Sequence, residues 1–261
     1  MRTPTRAATS STPPSTTAAE RASRSSASCS KVAATGSWCR PSTRDGSDPN
    51  AAGNHRKNLR LSLETSLHRL RTDYIDLYWV HLWDAHTPIE ETMRALDDVV
   101  RDGKVLYLGV SDTPAWIVAQ ANTLAAQHGW TPFAALQAPY SLLQRDIERE
   151  LLPMAHAFGM SVAAWSPLAG GILSGKFTRQ ARPEPGTRVS PGALTERDLA
   201  MARAVDRIAS DVGATASQVA IAWTRARSDA VHPIIGARRL DQLLDNLAAV
   251  DCALPPDALT R

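Results

Sequence analysis

Residues 74–84 read Tyr-Ile-Asp-Leu-Tyr-Trp-Val-His-Leu-Trp-Asp, a run that is apolar or aromatic at nearly every position and ends in one histidine. A strand with one wet face alternates; a strand covered on both faces does not. The run therefore predicts a doubly covered strand over 74–82, with His81 at its tip. Four further apolar runs follow, at 105–110, 134–137, 161–165 and 231–235. The stretches between them carry helical signals. Leu59, Leu63, Leu67 and Leu70 form one stripe ahead of the first strand. Thr87-Pro88-Ile89-Glu90 reads as a helix start, with Thr87 as cap and Glu90 completing a capping box, and Gly103 ends that helix. Thr113-Pro114 opens the next, running to about His128. Helices are also expected over 146–158 and 194–213, from the capping pair Thr215 and Gln218 to Arg227, and over about 240–250. Loops rich in Pro, Gly and Arg or Asp occupy 44–54 and 178–192.

Strand and helix in alternation, joined by short turns, specify an α/β fold with a parallel sheet. His81, Ser111, Gln137, Ser166 and Gly236 all sit just past the ends of predicted strands. In a (β/α)8 barrel that is the face where chemistry is done. A dinucleotide-binding open sheet would alternate similarly, but no G-x-G-x-x-G follows any strand.

Composition divides the chain near residue 44. Residues 1–43 are almost wholly Ser, Thr, Ala, Pro and Arg, with six cationic side chains (Arg2, Arg6, Arg21, Arg24, Lys31, Arg40) against Glu20. Such a segment buries too little apolar surface to offset its ordering entropy and is expected to be disordered. A transit peptide, a plain tail and an out-of-frame reading of a GC-rich coding region all produce this composition. The formal charge of +3 comes from this segment, and the remainder is mildly acidic, which argues against a nucleic-acid partner. No apolar run reaches membrane-spanning length. Cys29, Cys39 and Cys252 are too few and scattered for a disulfide framework or zinc site, as in a cytoplasmic protein with reduced thiols.

Five stretches in order, TDYIDLYWVH, GKVLYLGVSD, LQAPYSLL, WSPLAGGILSGK and IIGARRLDQLLDN, make the chain from about Arg44 to its end resemble the aldo-keto reductases, in the branch that includes potassium-channel β subunits and bacterial relatives. The resemblance implies a (β/α)8 TIM barrel, here incomplete, with strands 4–8 and their helices in a partial domain over 44–261. It implies NADPH as cofactor and a small-molecule carbonyl, an aldehyde or ketone, as substrate. His81 matches the histidine that orients the carbonyl. Ser111, Asp112 and Gln137 match the carboxamide contacts of the cofactor, Asp112 standing where asparagine is common. Trp165 matches the aromatic that stacks on the nicotinamide. Ser166, Leu168 and Gly170 lie on the pyrophosphate loop, and Lys176 and Arg188 match cations that clamp phosphates. Gly236, Arg238, Gln242, Asp245 and Asn246 match the adenosine end. The Arg238 fork suits a 2′-phosphate and so favours NADPH over NADH.

The same resemblance implies a tyrosine acid tuned by an aspartate and a lysine, all on or near the first three strands, the lysine ending the third. No Asp precedes Asp45, the first Tyr is Tyr74, and Lys31 does not follow an apolar run. The abrupt change near residue 44 favours the out-of-frame origin, because a transit peptide would not delete three strands. The chain is therefore expected to be a reductase by descent that is inactive or weak as written, or else a non-catalytic NADPH-binding regulatory module. Tyr140, just past a strand end, is the alternative proton donor. Trp79 and Trp83 read as core or pocket wall, and Asp84 with Asp112 is too sparse for a metal site.

Overall fold

The computed structural model describes residues 34–36, 52–179 and 189–260. Arg188, most of the 178–192 loop and all but three residues of the 1–43 segment lie outside them. Six parallel strands form one sheet in sequential order: β1 (Ala34–Gly36), β2 (Ile75–Val80), β3 (Val105–Ser111), β4 (Phe133–Pro139), β5 (Ser161–Trp165) and β6 (Val231–Pro233). Helices α1 (Arg56–Leu70), α2 (Ile89–Arg101), α3 (Ala115–His128), α4 (Leu151–Ala157), α5 (Glu196–Val212), α6 (Ala216–Ala226), α7 (Leu240–Leu247) and α8 (Pro256–Thr260) lie between and after the strands. Each strand of the sequence reading is present, its ends within two residues of those expected. β1 is a strand inside the segment that shows no period; three residues are too few for alternation to register. It pairs with β2, Gly36 standing opposite Val80.

The core lies between the helices and one face of the sheet. Tyr78 and Val80, Leu108 and Val110, Leu136 and Ala138, and Val162 and Ala164 all point into it, against Leu59, Leu63, Met93, Leu96, Val118 and Trp223. The opposite face carries the alternate residues. Ile75, Val105 and Phe133 at the strand starts are buried, but one turn of the pleat further on this face is open, with Tyr107 61% exposed and Leu77 half-buried. Neither face is covered along its whole length, Leu106 on the helix side being 46% exposed, whereas the apolar runs predicted full cover on both. On this second face Trp79 closes over Gly109, its register partner.

Two helix starts differ from expectation. α2 begins at Ile89 after Pro88, with no side-chain cap. Thr87 instead donates its hydroxyl to Asp84 Oδ2 at 2.6 Å, so the capping box is not formed. The residue before a proline is pushed out of the helical region, and a local carboxylate captures its hydroxyl. The second pair is as expected: Thr215 accepts from the Gln218 amide and Gln218 accepts from the Thr215 amide. The 146–158 stretch breaks into a 3-10 turn, Asp146–Glu148, and α4.

A Cβ added at Gly109 would sit inside the contact distance of the Trp79 ring. Gly109→Ala is expected to lower unfolding free energy by about 1–3 kcal/mol, measured by urea titration. Leu61→Ala, on the exposed side of α1, should cost under about 0.5 kcal/mol.

Candidate active site

Parallel pairing carries every strand end to one edge of the sheet, and side-chain parity then decides which residues share a face. Ser111 is the register partner of Gln137, and Gln137 of Ala163; one step further, Pro139 pairs with Trp165. Ser111, Gln137 and Trp165 therefore line the same face, the one without helices, at the C-terminal ends of β3, β4 and β5. His81 follows β2 directly and is exposed beside them. Ser111 Oγ is fully buried and has no hydrogen-bond partner among the described residues. An orphan hydroxyl of this kind costs stability unless something pairs with it. Gln137 is partly buried, and Trp165, one row further along the same face, is 37% exposed.

The loop after β5 bends sharply. Ser166, Ala169, Gly170 and Gly171 all have positive φ, at 59°, 47°, 67° and 97°. Ser166 Oγ accepts from the Gly170 amide at 3.3 Å, and the Leu168 carbonyl accepts from the Gly171 amide at 2.8 Å. Backbone turns of this kind gather N–H groups into anion-binding hollows. The Lys176 amine lies against Gly171 so closely that a Cβ there would stand 2.5 Å from Nζ. Burial lowers the Lys176 pKa, and the nearby Arg238 charge lowers it further. Two cations held together beside such a loop fit an anionic ligand such as a diphosphate.

The remaining candidates at the end of β6 serve mainly to hold that loop. Gln242 Oε1 accepts from the Arg238 amide at 3.1 Å. Asn246, buried, donates to the Gly236 carbonyl. Asp245 accepts from Thr215 and Gln218, both at 2.9 Å, and so ties α7 to the start of α6. Asp112 is exposed, with a positive φ of 41°, and its carbonyl accepts from the Trp83 amide.

Asp84, weighed in the sequence only as a metal ligand, and Asn54 and Trp116, which the sequence reading passed over, shape the histidine end. Asp84 accepts from the Asn54 amide, the His86 amide and the Thr87 hydroxyl at 2.6–2.9 Å. Burial alone would raise its pKa, but these donors outweigh burial and hold it below the usual carboxylate value. Asn54 in turn donates to the Leu82 carbonyl, so the loop before α1 is clamped to the residue after His81. The pair is 30 residues apart and leaves no local pattern. Trp116, 62% exposed, meets Trp83 edge to face with centroids 6.2 Å apart, making an aromatic wall beside the histidine.

Tyr140 does not face this site. It is fully buried, its ring tilted by 50° to that of Trp223, and donates to Glu148 Oε1 at 2.6 Å while accepting from Arg227. Burial first, and the Glu148 carboxylate second, push its pKa to about 12 from an ordinary 10.0. The role of alternative proton donor is thereby excluded by geometry.

The sequence model of the aldo/keto reductase family matches residues 26–261. A Saccharomyces cerevisiae protein named for aryl-alcohol dehydrogenase activity is 39% identical over 230 residues, covering 86% of this chain and 61% of the relative. The NADP(+) aryl-alcohol dehydrogenase of Phanerodontia chrysosporium is 38% identical, covering 79% of this chain and 56% of the relative. Norsolorinic acid reductase A of Aspergillus parasiticus is 40% identical, with coverage of 80% and 53%. The chain thus spans between about half and two thirds of the length of these relatives.

A phenol whose folded pKa is raised contributes stability that is whole below its unfolded value and lost as the pH climbs through the folded one. Spectrophotometric titration should show a tyrosine phase near pH 12 that vanishes in Tyr140→Phe, with the wild-type advantage in stability fading between pH 10 and 12.

Proposed function

The chain belongs to the aldo/keto reductase family, and from that premise we propose that it binds NADPH across the C-terminal ends of β3 to β6, with an aromatic aldehyde as the partner substrate. The observation that carries the reading is the orphaned Ser111 hydroxyl, in register with Gln137 and one row from Trp165. A primary carboxamide both donates and accepts, which suits a serine hydroxyl and a glutamine amide held side by side. The half-exposed indole of Trp165 offers a stacking surface. Lys176, Arg238 and the bent loop 166–171 are the anion end, and Arg238 favours a 2′-phosphate through its planar fork. When bound, NADPH supplies the hydride. His81 holds the carbonyl oxygen, and the Trp83–Trp116 wall supplies apolar surface for an aryl group, in keeping with the names of the relatives.

In this reading β2 to β6 are strands four to eight of a (β/α)8 barrel in a cytoplasmic enzyme, and β1 takes the place of the third. The lysine of the family ends that third strand. The residue that ends β1, beside Val80 and next to His81, is Gly36. This supports a second reading, that the chain binds the cofactor and turns it over weakly or not at all. General acid catalysis contributes roughly 10²–10⁴-fold to such reactions, and among the described residues neither a tyrosine nor a lysine of that kind follows β1 beside His81.

Titration with NADPH should quench tryptophan emission. Arg238→Ala should weaken NADPH by about tenfold or more while changing NADH little, since hydrogen bonds to charged groups contribute about 1.5–3 kcal/mol. Equal losses for both nucleotides would refute the 2′-phosphate role. Steady-state oxidation of NADPH by aromatic aldehydes should run at least about 10²-fold below an intact relative; turnover equal to the relative would refute the weak-enzyme reading.

A further inference from the structure

The β2–β3 ladder ends one residue before His81, at Val80 opposite Val110. The three residues after His81 are fixed one by one instead. The Leu82 carbonyl accepts from Asn54 Nδ2 at 3.0 Å. The Trp83 amide donates to the Asp112 carbonyl at 3.4 Å. The Asp84 carboxylate accepts from the Asn54 amide and the Thr87 hydroxyl on Oδ2, and from the His86 amide on Oδ1. Asp112 directly follows Ser111, so the histidine segment is tied to the loop that carries the orphan hydroxyl.

The other anchor is itself held from two helices. Asn54 is buried, and its carbonyl accepts from the Thr92 hydroxyl of α2 at 3.3 Å. The Gly53 carbonyl accepts from Asn58 Nδ2 of α1 at 2.7 Å. Gly53 has a φ of 76°, and a Cβ there would stand 2.6 Å from Asp84 Oδ2. Backbone and space thus both require glycine at this position, which lets the loop close tightly on the carboxylate. Hydrogen bonds to an ionised carboxylate are about twice as strong as neutral ones, so three donors on Asp84 make a stiff joint. Helix capping does not account for it. α2 starts at Ile89 with no side-chain cap, and the Thr87 hydroxyl that could have served goes to Asp84. The joint holds the segment that carries His81.

We infer that Asp84, backed by Gly53 and Asn54, is a positioning residue that sets His81 against the carboxamide end of the cofactor site, acting through segment 82–84 rather than on the substrate. The inference rests on the reading of His81 as the group that holds the carbonyl oxygen. Its test follows the His81 imidazole by nuclear magnetic resonance in chain labelled with carbon-13 histidine, the signal assigned by its loss in His81→Gln. Benzamide is the probe, because its carbonyl accepts a hydrogen bond and is not reduced. It should shift the His81 signal of the NADPH-loaded chain. Asp84→Ala and Gly53→Ala should each weaken benzamide by about tenfold or more while changing NADPH affinity, read from tryptophan quenching, by less than about twofold, since a small misplacement is costly at the reacting centre alone. Gly53→Ala removes no hydrogen-bonding group, so a matching loss isolates position as the cause. Thr87→Ser keeps the hydroxyl and should bind benzamide like the wild type, whereas Thr87→Val should not; this pair decides the matter if the other two variants fail to fold. Failure of NADPH to quench the emission refutes the cofactor reading alone, and the benzamide titration of the nucleotide-free chain then judges Asp84 by the same comparison. Unchanged benzamide affinity in Asp84→Ala, equal losses for benzamide and NADPH, or no benzamide shift at His81 in any form of the chain would overturn the inference.

Discussion

Parallel register is the constraint on which the site depends. Each ladder from β2 to β5 aligns a strand end with the next, so residues far apart in the chain arrive on one edge and one face. Ser111, Gln137 and Trp165 are brought together by pairing alone, before any side chain is considered. A slip of one residue would turn all of them toward the helices and the core. Toward the strand ends the even-numbered set, Tyr78, Val80, Leu108, Val110, Leu136, Ala138, Val162 and Ala164, is buried in the core, which leaves Ser111, Gln137 and Trp165 on the other side. Core packing on one face therefore aims the candidate site on the other.

Much of this arrangement was legible in the sequence. Short apolar runs ending in His81, Ser111, Gln137 and Trp165 marked the strands, and a run of five or more apolar residues has few other uses between two capped helices. Thr215 with Gln218 marked a helix start, because that reciprocal pair depends only on residues three apart. Features that depend on distant partners were not legible. Asp84 looked like a stray carboxylate because its donor Asn54 lies 30 residues upstream. Thr87 looked like a cap, although Asp84, only three residues before it, competes for its hydroxyl; that competition is decided by Asp84 being held in place from Asn54. Tyr140 follows a strand end in sequence, yet its ring turns back between Glu148 and Trp223 into the core. Continuous apolarity also overstated cover, as the 61% exposure of Tyr107 demonstrates.

The uncovered surfaces share one cause. A sheet of six strands in sequential order has two edges and an open second face, where a closed barrel has neither. Tyr107 on the open face and the leucines of α7 beyond β6 are apolar groups on elements whose flanks carry no further strand or helix among the described residues. At the other edge, β1 brings Gly36 next to the residue before His81, so the histidine end is the less complete half of the site. The anion end, by contrast, is made wholly of elements from β5 onward and is braced internally by Ser166, Gln242, Asp245 and Asn246.

Hydrogen–deuterium exchange with and without NADPH tests the central claim most directly, because it reads the backbone at each strand end separately. A cofactor lying across the strand ends should add protection at residues 111–112, 137, 165–171 and 236–238 together, with α2 and α3 unchanged. Protection confined to one of these segments, or absent from all of them while NADPH is bound, would contradict it.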